Sequence, residues 1–117
     1  MINENKRDVS ILEHILEYCR QIEACLTRFG NSEECFASDT AYRNAVAMPM
    51  FQIGELSGRL SDDFKEQHAE IPWKAIRGMR NLFAHDYLEM DVKKIWLAAT
   101  NDVPVLKAFC ERELSRR

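Results

Sequence analysis

Between residues 8 and 29, apolar side chains stand at Leu12, Ile15, Cys19, Ile22, Leu26 and Phe29. Steps of three and four alternate, the period of an amphipathic helix with one narrow buried seam. Asp8 is placed to cap its start, and Gly30 suits the left-handed residue that ends a helix. The seam resembles a coiled-coil stripe, so it fits either a neighbouring helix or a second subunit. Ser32-Glu33-Glu34 reads as a short helix start, and Ser38 or Asp39 as the cap of the next helix. From Thr40 to Leu60 the apolar positions include Val46, Met50, Ile53, Leu56 and Leu60. Pro49 lies within this stretch, where it removes a backbone donor and crowds the preceding turn. A kink or break is therefore expected near Ala45 to Met48. Gly54 and Gly58 lie one helical turn apart, and their expected role is close approach to a neighbouring helix.

Ser61 to Glu70 is polar and reads as a loop with room for a helical turn. Pro72 fits the first position of a new helix, with Trp73, Ile76, Leu82 and Phe83 as its buried face. Arg80 and Asn81 are expected inside that helix and His85 near its end. Met90 and Asp91 open the last segment, followed by apolar Val92, Ile95, Trp96, Ala99, Val103, Leu106, Phe109, Cys110 and Leu114. Pro104 is expected to break or bend it after Asn101-Asp102. No alternation of apolar and polar residues is long enough for a strand, and there are no repeats or low-complexity tracts. The pattern predicts an all-α fold.

A chain of 117 residues makes one domain, here residues 1–117, and buries roughly 65 % of its unfolded surface, enough for one core. No apolar run approaches the roughly 20 residues of a membrane span, and the N-terminus lacks the apolar core of a secretion signal. Cys19, Cys25, Cys35 and Cys110 include no close C-x2-C pair. Three fall on apolar helical positions, so they read as reduced, mostly buried thiols of a cytoplasmic protein. The net charge of -3 argues against a broad basic face coating nucleic acid but leaves room for a small phosphate site.

The candidate chemistry is Arg80-Asn81-Leu82-Phe83-Ala84-His85-Asp86-Tyr87, an R-x4-H-x-Y pattern. Arginine grips phosphate as a planar cation, histidine moves protons near neutral pH, and a tyrosine phenol can accept a covalent group. Taken singly, His85 is a helix C-terminal histidine and Tyr87 an amphipathic packing residue; the set carries the argument. On a helix, Asn81 and His85 share one face, whereas Arg80 is offset by about 100°, with its Cα about 7.5 Å along the axis from that of His85. Three arrangements would bring Arg80 to His85: Arg80 reaches round, the helix ends early, or a two-fold dimer joins two sets across its axis. Lys74, Arg77 and Arg80 recur every three residues as a local basic stripe, the ordinary role of which is a solvated helix face. Glu55 is a candidate either to orient the arginine or to form a surface or interface salt bridge. His14, His68 and His85 are scattered, so a metal site has little support, and no P-loop, dinucleotide fingerprint or G-x-S-x-G occurs.

Three blocks carry a family resemblance: Gln52-Ile53-Gly54-Glu55, then Ile71-Pro72-Trp73-Lys74-Ala75-Ile76-Arg77-Gly78-Met79-Arg80-Asn81, then Phe83-Ala84-His85-Asp86-Tyr87 with Asp91 and Ile95-Trp96. Together they resemble the HepT-like proteins of the HEPN superfamily, and the match spans most of the chain. The resemblance implies an antiparallel bundle of four to five helices and a homodimer with the motif at or near its interface. It also implies the toxin of a type VII toxin-antitoxin pair, whose partner is an MntA-like minimal nucleotidyltransferase. The activity implied is a metal-independent endoribonuclease without a cofactor, acting on RNA. In that scheme Arg80 polarises the phosphate, His85 is the general acid or base, and Asn81, with Arg77 and Lys74, positions the substrate. Tyr87 matches the tyrosine that the partner AMPylates in some members, cancelling toxicity.

Overall fold

The computed structural model describes residues 5–82 and 91–117, all of which lie in helices, turns or irregular segments, with no strand among them. Helix α1 spans Lys6–Phe29, α2 Glu33–Ser38, α3 Thr40–Ser57, α4 Asp62–Gln67 and α5 Trp73–Arg77; a 3-10 segment, Gly78–Leu82, follows α5. Helix α6 spans Val92–Leu97 and leads through a π-helical turn, Ala98–Asp102, into α7, Val103–Ser115. The expected all-α bundle is what forms. No described helix is long and apolar enough to cross a membrane.

The seam of α1 is buried as its period requires, with Leu12, Ile15, Cys19 and Ile22 fully inside. Ile11 and Leu16 are buried beside them, so the apolar face is wider than a coiled-coil stripe. It packs against α3 and α7 of the same chain. Each such aliphatic side chain contributes about 1.5–3 kcal/mol, which outweighs any helix propensity term. On α3 the buried positions are Tyr42, Val46, Met50 and Ile53, and Tyr42 stacks on Phe29 at 4.9 Å and meets Phe36 edge-on at 5.1 Å.

Several local expectations are corrected. Asn5, not Asp8, caps α1, its Oδ1 accepting from the amide of Arg7 at 2.9 Å. Asp8 is instead buried and reaches across the fold: Oδ1 accepts from the Ser61 amide at 2.8 Å and Oδ2 from the Ser61 hydroxyl at 2.6 Å. Ser61 Oγ in turn accepts from the Phe64 amide at 3.1 Å, so this carboxylate anchors the cap of α4. That cap extends the helical turn allowed for in this polar segment into the six residues of α4. Pro49 does not break α3, which runs on without interruption. Its cost of about 3 kcal/mol is met by the buried side chains of Val46, Met50 and Ile53 on either side. Before Pro104 the winding does change where a break was expected: a π-helical turn ends at Asp102, and Pro104 stands in the first turn of α7, where a missing donor is tolerated. Gly30, at φ 108°, ends α1 as expected.

The connection from α4 to α5 is pinned on α7. The indole N–H of Trp73 donates to the His68 carbonyl at 3.0 Å. The His68 ring lies between Phe64 and Phe109, at 4.6 and 5.1 Å, with Nε2 3.6 Å from Glu113 Oε2. Glu113 is buried and also takes Arg116 Nη1 at 2.9 Å. This cluster fixes where the chain enters the segment that carries the basic residues.

The four thiols are free, as expected, and differ in exposure: Cys19 and Cys110 are buried, Cys25 is half-buried and Cys35 is exposed. Burial pushes the Cys110 thiol up to about 12 and Cys19 in the same direction. In the unfolded chain both ionise near their ordinary value of 9.0, so between that pH and about 12 the unfolded state holds fewer protons. Their contribution to stability is complete below pH 9.0 and is lost as pH rises towards 12. The urea midpoint should fall between pH 8 and 11, less steeply in a Cys19→Ala/Cys110→Ala variant. A thiol reagent should label Cys35 in the native protein and Cys19 and Cys110 only on unfolding; native labelling of the last two would contradict the packing.

Candidate functional site

The basic stripe begins on α5 and ends on the 3-10 segment, so the continuous helix expected from Pro72 to beyond Asn81 is not formed. The α-helix stops at Arg77, and Gly78, with φ -62° and ψ -17°, already has 3-10 dihedrals. Glycine favours this switch because it stabilises an α-helix least among residues other than proline. The tighter winding turns about 120° per residue, so the helical offset computed for Arg80 and Asn81 no longer applies. His85 and Tyr87 lie outside the described residues.

The placement of Arg80 follows from α3. A Cβ on Gly54 would stand 2.6 Å from the Arg80 amide nitrogen, 3.0 Å from Arg80 Cβ and 3.1 Å from the Arg77 carbonyl oxygen. Only a residue without a side chain lets the two backbones meet there. One turn later, the space of a Cβ on Gly58 is taken by the Arg77 guanidinium. The close packing expected of this glycine pair is present at both positions, against backbone at one and against a side chain at the other.

Glu55, next to Gly54, faces the same segment. Its Oε1 lies 2.8 Å from Arg80 Nε, with the Arg80 side chain 37 % and the Glu55 side chain 25 % exposed. The Nε atom itself is buried, and its N–H does not align with the carboxylate closely enough to form a hydrogen bond. The contact is therefore an ion pair. Partly exposed pairs of this kind contribute about 0–1 kcal/mol, so it matters for the direction of the guanidinium more than for stability. Of the two roles open to Glu55 in the sequence, the structure gives it the arginine itself as partner.

Lys74, Arg77 and Asn81 are exposed. Lys74, Arg77 and the partly exposed Arg80 form a short cationic strip along α5 and the 3-10 segment, with the neutral amide of Asn81 beside it. The link between His68 and Glu113, which sets the entry to this strip, had no signal in sequence, because the two are far apart in the chain and neither belongs to a recurring spacing.

A family model described as ribonuclease HepT-like matches residues 15–113. A protein of Caldanaerobacter subterraneus subsp. tengcongensis named as a candidate RNase is 35% identical over 97 residues, which cover 82% of this chain and 84% of that protein. A Thermococcus cleftensis protein named as a candidate ribonuclease HepT is 35% identical over 101 residues, 86% of this chain and 84% of that protein. A candidate RNase of Methanocaldococcus jannaschii is 33% identical over 108 residues, 92% of this chain and 97% of that protein. No solved structure matches the chain.

The two glycines should respond differently to the same substitution. Gly54→Ala forces α3 away from backbone atoms and should cost about 1–3 kcal/mol, read as a Tm lower by roughly 5–10 °C. Gly58→Ala meets only the end of a flexible exposed side chain and should stay within about 0.5 kcal/mol. Equal melting temperatures for the two variants would contradict the backbone contact.

Proposed function

The chain belongs to the ribonuclease HepT-like family, and on that premise we propose that it is a metal-independent endoribonuclease built around Arg80 and His85. The observation that carries the reading is the Arg80 guanidinium, half-exposed and paired on its Nε side, five positions before His85 in the chain. The names of the relatives support it.

The proposed reaction uses the RNA's own 2′-hydroxyl. His85 takes its proton, or donates one to the leaving 5′-oxygen. The 2′-oxygen bonds to phosphorus, the bond to the 5′-oxygen breaks, and the products are a 2′,3′-cyclic phosphate and a 5′-hydroxyl. Arg80 offsets the negative charge that builds on the phosphoryl oxygens. Asn81, Arg77 and Lys74 hold neighbouring phosphates or sugar hydroxyls. A homodimer that brings two motifs together would complete the site from two protomers.

The protein is further proposed to be the toxin of a pair whose antitoxin is an MntA-like nucleotidyltransferase. The Tyr87 phenol would attack the α-phosphorus of ATP, releasing pyrophosphate and leaving AMP on the tyrosine. The added bulk and negative charge beside Arg80 and His85 would exclude RNA. A second reading is a catalytically silent substrate of that enzyme. It is favoured by the acidic balance of the chain, 19 acidic against 16 basic residues.

Cleavage of single-stranded RNA in the presence of a chelator separates the two. The ribonuclease reading expects cyclic phosphate ends from the wild type, and rates about 10²–10⁴-fold lower for Arg80→Ala and His85→Ala. Arg80→Lys should not restore the rate, because an ammonium lacks the planar fork. Wild-type protein that leaves RNA as intact as both variants do would leave only the silent reading. For the modification, wild type incubated with the nucleotidyltransferase and ATP should gain the mass of AMP, and Tyr87→Phe should not. The same gain on Tyr87→Phe would remove Tyr87 as acceptor.

A further inference from the structure

Arginine has an Nε edge and a terminal Nη pair, and among the described residues it is the Nε edge of Arg80 that meets a carboxylate. The Nε of Arg80 is buried against Glu55, yet the side chain as a whole is 37 % exposed. Its exposure therefore falls on other atoms of the side chain. We propose that Glu55 is a positioning residue: by holding the Nε edge it turns the terminal Nη pair of Arg80 towards solvent, where a phosphodiester of RNA would be gripped. This rests on the ribonuclease reading above and adds to it the group that orients its phosphate-binding arginine.

The geometry that makes this orientation reproducible is local. Glu55 follows Gly54, and Gly54 is the residue whose missing Cβ lets α3 touch the Arg80 backbone. One contact thus fixes both the Cα that carries the guanidinium and the neighbouring Cα that carries the carboxylate. The freedom left to the pair is mainly side-chain rotation, and the 2.8 Å approach of Oε1 to Nε removes much of it. Arginine carries about 2 kcal/mol of rotamer entropy. Restricting it before substrate arrives lowers the barrier to the chemical step more than it changes binding of the ground state. The carboxylate also weakens the net positive charge at the site, so affinity for RNA should rest on Lys74 and Arg77 as much as on Arg80.

The test compares wild type with Glu55→Ala and Glu55→Gln, the second keeping shape and an acceptor oxygen. Glu55→Ala should lower kcat about 10–100-fold, the range seen when an orienting partner is removed, with KM changed less than about 3-fold. Glu55→Gln should recover most of the rate. A Glu55→Ala kcat equal to wild type, or a loss confined to KM, would overturn the assignment. So would a rate that falls in step with Tm and is not recovered by Glu55→Gln. A readout without RNA keeps this separate from the ribonuclease reading. In 15N spectra the Nε–Hε signal of Arg80 should exchange more slowly than those of exposed Arg59 and Arg112 in wild type, and should lose that protection in Glu55→Ala. If wild type cleaves no RNA but shows the protected signal, the ribonuclease reading fails and the orientation of Arg80 by Glu55 stands. If the signal exchanges as fast as those of the exposed arginines, the orientation fails whatever the activity.

Discussion

The candidate site depends on one steric fact: at Gly54 the backbone of α3 meets the backbone of the segment that carries Arg80. A Cβ there would stand 2.6 Å from an amide nitrogen, well inside van der Waals contact. A glycine in a helix costs about 1 kcal/mol relative to alanine, and the chain accepts that cost at a buried position. In return the 3-10 segment seats directly on α3. Glu55 then lies within 2.8 Å of Arg80, and Arg77 folds over the second glycine. The apolar core sets the level of stability, while this contact sets where the cations stand.

The short elements around that contact are held by polar groups. Asp8 on α1 anchors the cap of α4 through Ser61. His68 and Glu113 tie the end of α4 to α7, and Trp73 is hydrogen-bonded back to the same connection. Helices of five or six residues are too short to be stable alone. Hydrogen bonds to a carboxylate are stronger than neutral ones, which suits the link between Asp8 and Ser61 to locating such a piece. The cationic strip thus inherits its position from α1, α3 and α7 together.

The acidic balance of the chain and its cationic strip are compatible because the strip is small. It consists of Lys74, Arg77 and Arg80, and Glu55 offsets part of even that charge. In the proposed ribonuclease, binding built in this way would be weak over long RNA and sensitive to salt. It would depend on the orientation of individual groups more than on a broad field. Under the proposed chemistry, which draws its nucleophile from the substrate, such a site would act through geometry.

Periodicity alone was enough for the all-α fold, for the buried faces of α1 and α3, for the glycine that ends α1 and for the glycine pair of α3. These follow from short-range rules, namely spacing along a helix and the freedom of a residue without a side chain. The R-x4-H-x-Y pattern and its neighbouring blocks were legible as a family resemblance. The spacing of Arg80 could not reveal that its helix tightens to 3-10 after Arg77. Nor could sequence show that Asp8 leaves the cap it is placed to form for Ser61, that Pro49 is carried through an unbroken helix, or which of the two partners open to it Glu55 takes. Each of these is a contest between a local preference and contacts from distant parts of the chain. Burial of Val46, Met50 and Ile53 outweighs one lost hydrogen bond at Pro49, and the approach of α3 decides which arginine edge is covered. Such outcomes depend on which surfaces meet, and only the folded chain brings those surfaces together.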